Sequence, residues 1–129
     1  MAQEGWLHQN LGRADTAWKV LGQQTLLGPR DFRPGPGQML WNDGWDGYTA
    51  ARRRLVESLR QPAVRNAVVF GGDVHENWVG HVKADYERPV RANVGVEFCG
   101  TSISSRSSST NAKVTERLAE NPHFVFSEA

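Results

Sequence analysis

An aspartate and a histidine follow a short apolar segment in the middle of the chain. Residues 67–70, Ala-Val-Val-Phe, have the composition of a buried strand, which Gly71 and Gly72 end. Asp73 and His75 come next, and two residues that are two apart in an extended backbone project on the same side. A carboxylate and an imidazole on one side can hold a borderline metal ion such as iron or zinc. The stretch therefore predicts part of a metal site at the carboxyl end of a strand, where open α/β sheets bind ligands.

These two residues also have a simpler interpretation. An aspartate after a strand often makes hydrogen bonds within a turn, and a histidine at such a place can be solvated. Two ligands fall short of the three or four protein groups that a first-row metal site usually contains. The spacing of Asp73 and His75 alone therefore leaves both interpretations open.

A long loop rich in glycine and proline precedes this strand in the sequence. Residues 28–47 contain three prolines and five glycines, which exclude a regular element. Loops of this length inside compact domains are usually functional or disordered. Trp41 and Trp45 argue against disorder, because large aromatic side chains are usually packed against other residues. We therefore predict that residues 41–46 pack beside the Asp-Val-His motif and wall the site. The alternative is that both tryptophans fill the core far from that motif.

The same loop carries two carboxylates. Asp43 and Asp46 are hard oxygen ligands of the kind that calcium prefers. Asp46 also stands where it could cap the helix that follows, and that interpretation is the simpler of the two.

Hydrophobic periodicity predicts an α/β chain. The predicted helices are residues 3–13, 48–61 and 111–120, and the predicted strands are residues 18–27, 67–70, 78–86, 90–98 and 123–127. In the second helix we expect Tyr48, Ala51, Leu55 and Leu59 to face inward, with the arginines at 52–54 mainly outside that stripe. In residues 90–98 the alternate valines and Phe98 form the expected buried face, which places Glu97 and Cys99 opposite it.

Composition excludes several classes of protein. A length of 129 residues allows one domain or part of one, and the net charge of +1 argues against a general nucleic-acid-binding surface. No apolar run approaches the roughly 20 residues of a membrane span. The N-terminal residues lack the basic start and apolar core of a signal peptide, so none is expected.

Four motifs, taken together and in order, resemble the alkaline phosphatase D (PhoD-like) family of metallophosphoesterases. They are residues 18–24, 45–48 (Trp-Asp-Gly-Tyr), 71–78 (Gly-Gly-Asp-Val-His-Glu-Asn-Trp) and 97–105. The resemblance implies a four-layer α/β sandwich with iron and calcium between two sheets, phosphate monoesters or diesters as substrates, and exported full-length relatives. It places Asp73 and His75 on a metal-ligand motif. The motif with Trp45 and Asp46 matches without a firm role for either residue.

The chain also departs from this family pattern. No Asp-x-His, Gly-Asp-x-x-Asp or Gly-Asn-His motif, which relatives carry in an earlier half of the domain, occurs before Asp73. We therefore expect residues 1–129 to be the C-terminal portion of a PhoD-like domain with little activity alone. The alternative is a non-catalytic remnant or a half-domain that binds a partner.

Two further expectations concern the neighbours of the site and the missing half. Glu76 or Asn77 is predicted to fix the imidazole tautomer of His75 or to line the substrate site. A missing sheet would leave apolar strand faces bare, and such faces favour association with a missing half or with another chain.

Overall fold

Five strands form one mixed sheet in the order β1-β2-β4-β3-β5. The computed structural model describes residues 2–13, 15–88, 90 and 92–129. The strands are β1 Lys19–Gly22, β2 Ala67–Gly71, β3 Asn77–Lys83, β4 Asn93–Cys99 and β5 Phe124–Glu128, and the helices are α1 Ala2–Leu11, α2 Thr49–Leu59 and α3 Asn111–Glu120. β1, β2 and β4 are parallel, whereas β3 runs antiparallel to β4 and β5. The predicted α/β (α+β) fold class is confirmed.

The first strand is shorter than the sequence predicts. β1 ends at Gly22, although the apolar pattern continues to Leu27. The side chain of Gln23 bonds to both backbone groups of Thr25, with the amide nitrogen of Thr25 3.2 Å from Gln23 Oε1. Backbone bonds from Gln23 to Phe70 and from Gly72 to Gln24 still join the two segments, and this local turn then ends the pairing.

The helices pack on one face of the sheet and form two adjoining clusters. One cluster joins α1 and α2 to the sheet, and its buried residues are Leu11, Leu27, Leu55, Val56, Leu59, Ala67, Val69 and Val82. The other lies under α3 and contains Leu26, Trp78, Cys99, Val114 and Phe124. α3 has the predicted bounds, and the side chain of its N-cap Thr110 accepts a hydrogen bond from the amide of Lys113 at 3.4 Å.

The buried face of β4 is the opposite of the predicted one. Glu97 and Cys99 are 1% and 3% exposed, whereas Phe98 is 41% exposed. Phe98 lies opposite Phe70 and Val79 in the register, on the face away from the helices. The alternation is as predicted, but the inward side is wrong because both faces of this sheet carry apolar residues. Polarity alone therefore could not show which face the helices cover.

The second face of the sheet is apolar and has no helix over it in the described part of the chain. We call it the open face and define it by Val20, Phe70, Val79, Phe98 and Phe126. The register aligns four of these residues in one row across neighbouring strands, and the rings of Phe70 and Phe98 stack with centroids 5.7 Å apart. All but Val79, which is half-buried, are exposed. The described residues thus form one sheet and one helical layer.

The inward stripe of α2 is rotated from the predicted one. Tyr48 is 65% exposed, while Arg52 is buried with Leu55 and Leu59. Arg52 turns inward because its Nη1 pairs with Asp46 Oδ1 at 2.5 Å. A buried guanidinium group needs such a partner, because an unpaired buried charge is strongly destabilising. Among the described helices, none combines the length and apolar character needed to cross a membrane.

Candidate functional site

The Asp-Val-His motif forms a turn directly after β2. The amide of Gly72 bonds to the carbonyl of Gln24 at 3.2 Å, and the amide of Val74 bonds back to the carbonyl of Gly72 at 2.8 Å. Asp73 and His75 have φ angles of 68° and 58°. The expectation of an extended backbone is therefore wrong, because both residues lie in the left-handed region. Residues held in this region are often found at functional sites, where the surroundings impose the conformation.

The two side chains can supply part of a metal site. Asp73 is exposed and His75 is half-buried, so a carboxylate and an imidazole are both accessible at the carboxyl end of a parallel strand. Within the described residues, no group of three or more His, Cys, Asp or Glu side chains is placed to hold an ion. The donor types fit a metal such as iron, but their number fits only one side of a site.

The left-handed backbone at Asp73 leads to a prediction about stability. We expect Asp73→Gly to be more stable than Asp73→Ala by about 1 kcal/mol, since glycine adopts positive φ without a Cβ clash. Urea denaturation of both variants measures the difference. Asp43, which is exposed and outside the positive-φ residues, provides the matched control, and there glycine should be the less stable substitution. A more stable alanine variant at position 73 would contradict the prediction.

Glu76 lies in a buried ion-pair cluster next to this turn. Its Oε2 accepts hydrogen bonds from Arg30 Nη1 at 2.5 Å and from Trp78 Nε1 at 2.9 Å, and its Oε1 accepts one from Arg117 Nη1 at 2.6 Å. Burial raises the pKa of Glu76, but the hydrogen bonds and the two guanidinium groups outweigh it and hold the pKa below its usual value. Glu76 is therefore a carboxylate that ties three separate elements together.

The predicted roles of Glu76 and Asn77 toward the imidazole stay predictions. Both carboxylate oxygens of Glu76 have the partners described above. Asn77 Oδ1 accepts a hydrogen bond from the amide of Thr101 at 2.9 Å, which attaches the loop after β4 to the start of β3. These contacts show that both residues hold the backbone around His75.

The loop with the two tryptophans packs against the Asp-Val-His turn. Trp41, Trp45 and Asp46 border a cavity of about 10 Å³ together with Val74, the residue between the two candidate ligands. Trp45 Nε1 also donates to Gln23 Oε1 at 2.9 Å. Trp45 also packs against the core cluster under α1 and α2, as the alternative expects, so the predicted wall and its role toward a substrate stay predictions.

Asp46 does not cap α2, which was the simpler interpretation of this residue. The N-cap of α2 is Tyr48, which makes no capping bond through its side chain. The two carboxylate oxygens of Asp46 instead contact Arg52 Nη1 at 2.5 Å and the amide of Arg30 at 3.3 Å. Asp46 therefore joins the loop to α2 through its inward-facing arginine.

Sequence reasoning missed the importance of residues 27–31, which we call the pinned segment. The amides of Leu27 and Gly28 donate to the carboxylate of Glu97, and the amide of Arg30 donates to Asp46. The amide of Asp31 donates to Asn121 Oδ1 at 2.8 Å. No composition or periodicity marks this segment, because its partners are about 16 to 90 residues away in the sequence.

Two buried titratable groups hold the pinned segment. His123 Nε2 lies 2.8 Å from the carbonyl of Pro29, so the neutral ring carries its proton on Nε2 and donates it to that oxygen. Burial lowers the pKa of His123 to about 4 and raises the pKa of Glu97 to about 7. Both groups therefore favour the neutral form in the folded protein.

Cys99 is an inert thiol in this fold. It was expected opposite the buried face of its strand, but it is buried and its Sγ donates to the carbonyl of Gly72 at 3.3 Å. Burial raises its pKa to about 12. Since the thiolate is the nucleophilic form, Cys99 contributes packing rather than chemistry.

A larger open cavity lies away from the candidate site. It has a volume of about 810 Å³ and is lined by residues such as Pro62, Asn66 and Ala92, at the end of β2 opposite the Asp-Val-His turn. Ligands of open α/β sheets bind at the carboxyl ends of the strands, so size alone does not make this cavity the functional site.

Comparisons with known proteins give one consistent result. A model of the family described as PhoD-like phosphatase matches residues 1–129. Alkaline phosphatase D of Bacillus subtilis (strain 168) is 36% identical over 126 residues, which are 96% of this chain and 22% of that protein. A solved structure of PhoD matches with a TM-score of 0.90 at 35% identity, over 99% of this chain and 25% of that chain. The chain therefore spans about a quarter of the length of the relatives that it matches.

Proposed function

The chain belongs to the PhoD-like phosphatase family, and we propose on that basis that it supplies the Asp-Val-His side of a metal centre that hydrolyses phosphate monoesters or diesters. The observation that supports this most directly is the left-handed turn, which holds Asp73 and His75 accessible at the carboxyl end of β2. Iron and calcium, which the family resemblance implies, suit the imidazole and carboxylate donors respectively. A bound metal ion offsets the negative charge of the ester and lowers the pKa of water.

The residues of this chain have distinct parts in the proposed site. Asp73 and His75 would hold one metal ion, and the loop with Trp45 and Asp46 would form a wall against which the ester is oriented. The 3₁₀ helix Trp45–Gly47 and the start of α2 follow that loop. The backbone amides there add partial positive charge near the place where a phosphate must bind.

We propose further that the chain alone has little activity. Two protein ligands do not fix a first-row metal ion tightly, and the described residues contain no third candidate beside them. The remaining ligands would come from the part of the relatives that this chain does not match. The open face is the surface that we propose for contact with that part, because a sheet with two apolar faces requires a layer on each.

A chimera tests the proposed function. In it, this chain replaces the matching segment of Bacillus subtilis alkaline phosphatase D, with which it shares 36% identity. We expect hydrolysis of an aryl phosphate that a chelator abolishes, and a loss of about 100-fold or more in the Asp73→Asn chimera. The matched control is Asp15→Asn, at an exposed aspartate outside the site. A folded, metal-loaded chimera whose activity did not depend on Asp73 would contradict the proposal.

The isolated chain provides the complementary measurement. We expect no chelator-sensitive hydrolysis above that of its Asp73→Asn variant, and less than one metal ion per chain after purification. Sedimentation of the same sample should show self-association through the open face. Robust metal-dependent hydrolysis by the chain alone would show that its own residues complete the site.

A further inference from the structure

We propose that Arg30 and Arg117 are positioning residues, which act through Glu76 on the turn that presents Asp73 and His75. The inference rests on the proposed function, since it concerns the same two candidate ligands. It is carried by the geometry of the buried cluster around Glu76, in which neither the motifs nor the comparisons assign a role to Arg30 or Arg117.

The bonds to Glu76 come from three directions. Arg30 belongs to the pinned segment, Trp78 to β3 and Arg117 to α3, and each donates to the carboxylate within 2.9 Å. Phe32 supports both guanidinium groups, because the Cζ atoms of Arg30 and Arg117 lie 4.4 and 4.8 Å from its ring centroid. The carboxylate is therefore fixed in position and not merely neutralised.

The position of Glu76 determines what this arrangement controls. Glu76 directly follows His75, so fixing its side chain fixes the end of the turn in which Asp73 and His75 have positive φ. A left-handed backbone at two non-glycine residues persists only where the surroundings impose it. The second bond of Arg30, from its amide to Asp46, ties the same residue to the loop that packs on Val74. Arg30 thereby links the wall of the site to the turn that holds its ligands.

Charge supports a specific requirement for positively charged side chains at these places. Two guanidinium groups surround one carboxylate, and Arg30 is buried while Arg117 is partly exposed. Loss of either guanidinium leaves the other to balance Glu76, whereas loss of the carboxylate leaves two like charges in contact with one ring. We expect Arg30→Met to loosen the turn, and Arg30→Lys, which keeps the positive charge, to restore the turn. Glu76→Gln should loosen the turn most, because both guanidinium groups lose their partner.

Nuclear magnetic resonance of this chain tests the proposal directly. A positive φ shortens the distance between the amide and α protons of the same residue, which gives a strong nuclear Overhauser effect. We expect this effect at Asp73 and His75, and its weakening in Arg30→Met and Glu76→Gln but not in Arg30→Lys. Arg60→Met, which removes an exposed ion pair with Glu57, is the matched control. If Arg30→Met does not fold, Arg117→Met replaces it, because that side chain is less buried.

Titration with Mn²⁺ alone provides the second readout, since paramagnetic broadening detects weak binding. We expect the resonances of Asp73 and His75 to broaden. In Arg30→Met and Glu76→Gln, which we call the positioning variants, about tenfold more Mn²⁺ should be needed for the same broadening. Broadening at His8, which lies beside Glu4 on α1, should stay unchanged. The proposal would be overturned if the positioning variants folded and still gave the strong nuclear Overhauser effect at both Asp73 and His75. Absence of broadening in the unsubstituted chain would instead contradict metal binding by Asp73 and His75. The nuclear Overhauser effect would still test whether Arg30 and Arg117 position the turn.

Discussion

Replacing Trp78 with alanine is expected to lower the free energy of unfolding by about 4 kcal/mol, the range found for large aromatic side chains removed from cores. Trp78 is completely buried, and its ring lies against Phe124 with a centroid distance of 5.0 Å. Its Nε1 also donates to Glu76, so truncation removes one partner of a buried carboxylate as well as core volume. A domain of this size has a total stability of about 5–15 kcal/mol, so this single change should approach the limit of folding.

Equilibrium urea denaturation measures this effect, and a second variant separates its causes. Trp78→Phe keeps an aromatic ring but removes the donor, so it should cost about 2 kcal/mol. The Trp78→Phe value reports the bond to Glu76 together with the smaller ring, and the difference between the two variants reports the remaining packing. A loss below about 1 kcal/mol for Trp78→Ala would mean that the core under α3 tolerates a cavity, contrary to what the complete burial of Trp78 predicts.

The elements of the fold were largely predictable from periodicity. α3 matches its predicted bounds, and the strand before the glycine pair extends one residue further than predicted, to Gly71. The orientation of elements was less predictable, as Arg52 and Phe98 show. Arg52 is buried because Asp46 pairs with it, and Phe98 is exposed because its face of the sheet has no covering helix here. Both outcomes depend on tertiary partners, which the local pattern does not contain.

The candidate site shows the same division between local and distant information. The glycine pair and the following Asp and His could be identified from residue types, and they lie at the expected end of β2. The left-handed backbone at Asp73 and His75 could not be identified from residue types, nor could the bonds that the adjoining Glu76 makes to Arg30 and Arg117. Arg117 is 41 residues beyond Glu76, and nothing in the sequence pairs them. Sequence patterns thus indicate the candidate ligands, whereas the contacts around them depend on the tertiary fold.

Glu97 and His123 give the last expected effect, which concerns the dependence of stability on pH. Burial raises the pKa of Glu97 from 4.5 to about 7, so between these values the folded state binds more protons than the unfolded chain, and stability falls as pH rises. Burial lowers the pKa of His123 from 6.5 to about 4, so the unfolded chain binds more protons there and stability rises with pH. Each contribution amounts to about 3 kcal/mol, since one pKa unit corresponds to about 1.4 kcal/mol.

The two contributions oppose each other over nearly the same interval, so they should almost cancel in the unsubstituted chain between pH 4.5 and 6.5. Glu97→Gln should reveal a stability that rises by about 3 kcal/mol across this interval, because only His123 still titrates. His123→Gln, which retains an amide donor for the carbonyl of Pro29, should reveal a fall in stability of similar size up to pH 7.

Urea denaturation at half-unit pH steps measures both slopes, and other carboxylates such as Glu76 affect each variant equally. Because slopes rather than absolute stabilities are compared, any uniform loss from either substitution does not matter. Parallel pH profiles for the two variants would mean that the charges of Glu97 and His123 are not excluded from the folded core.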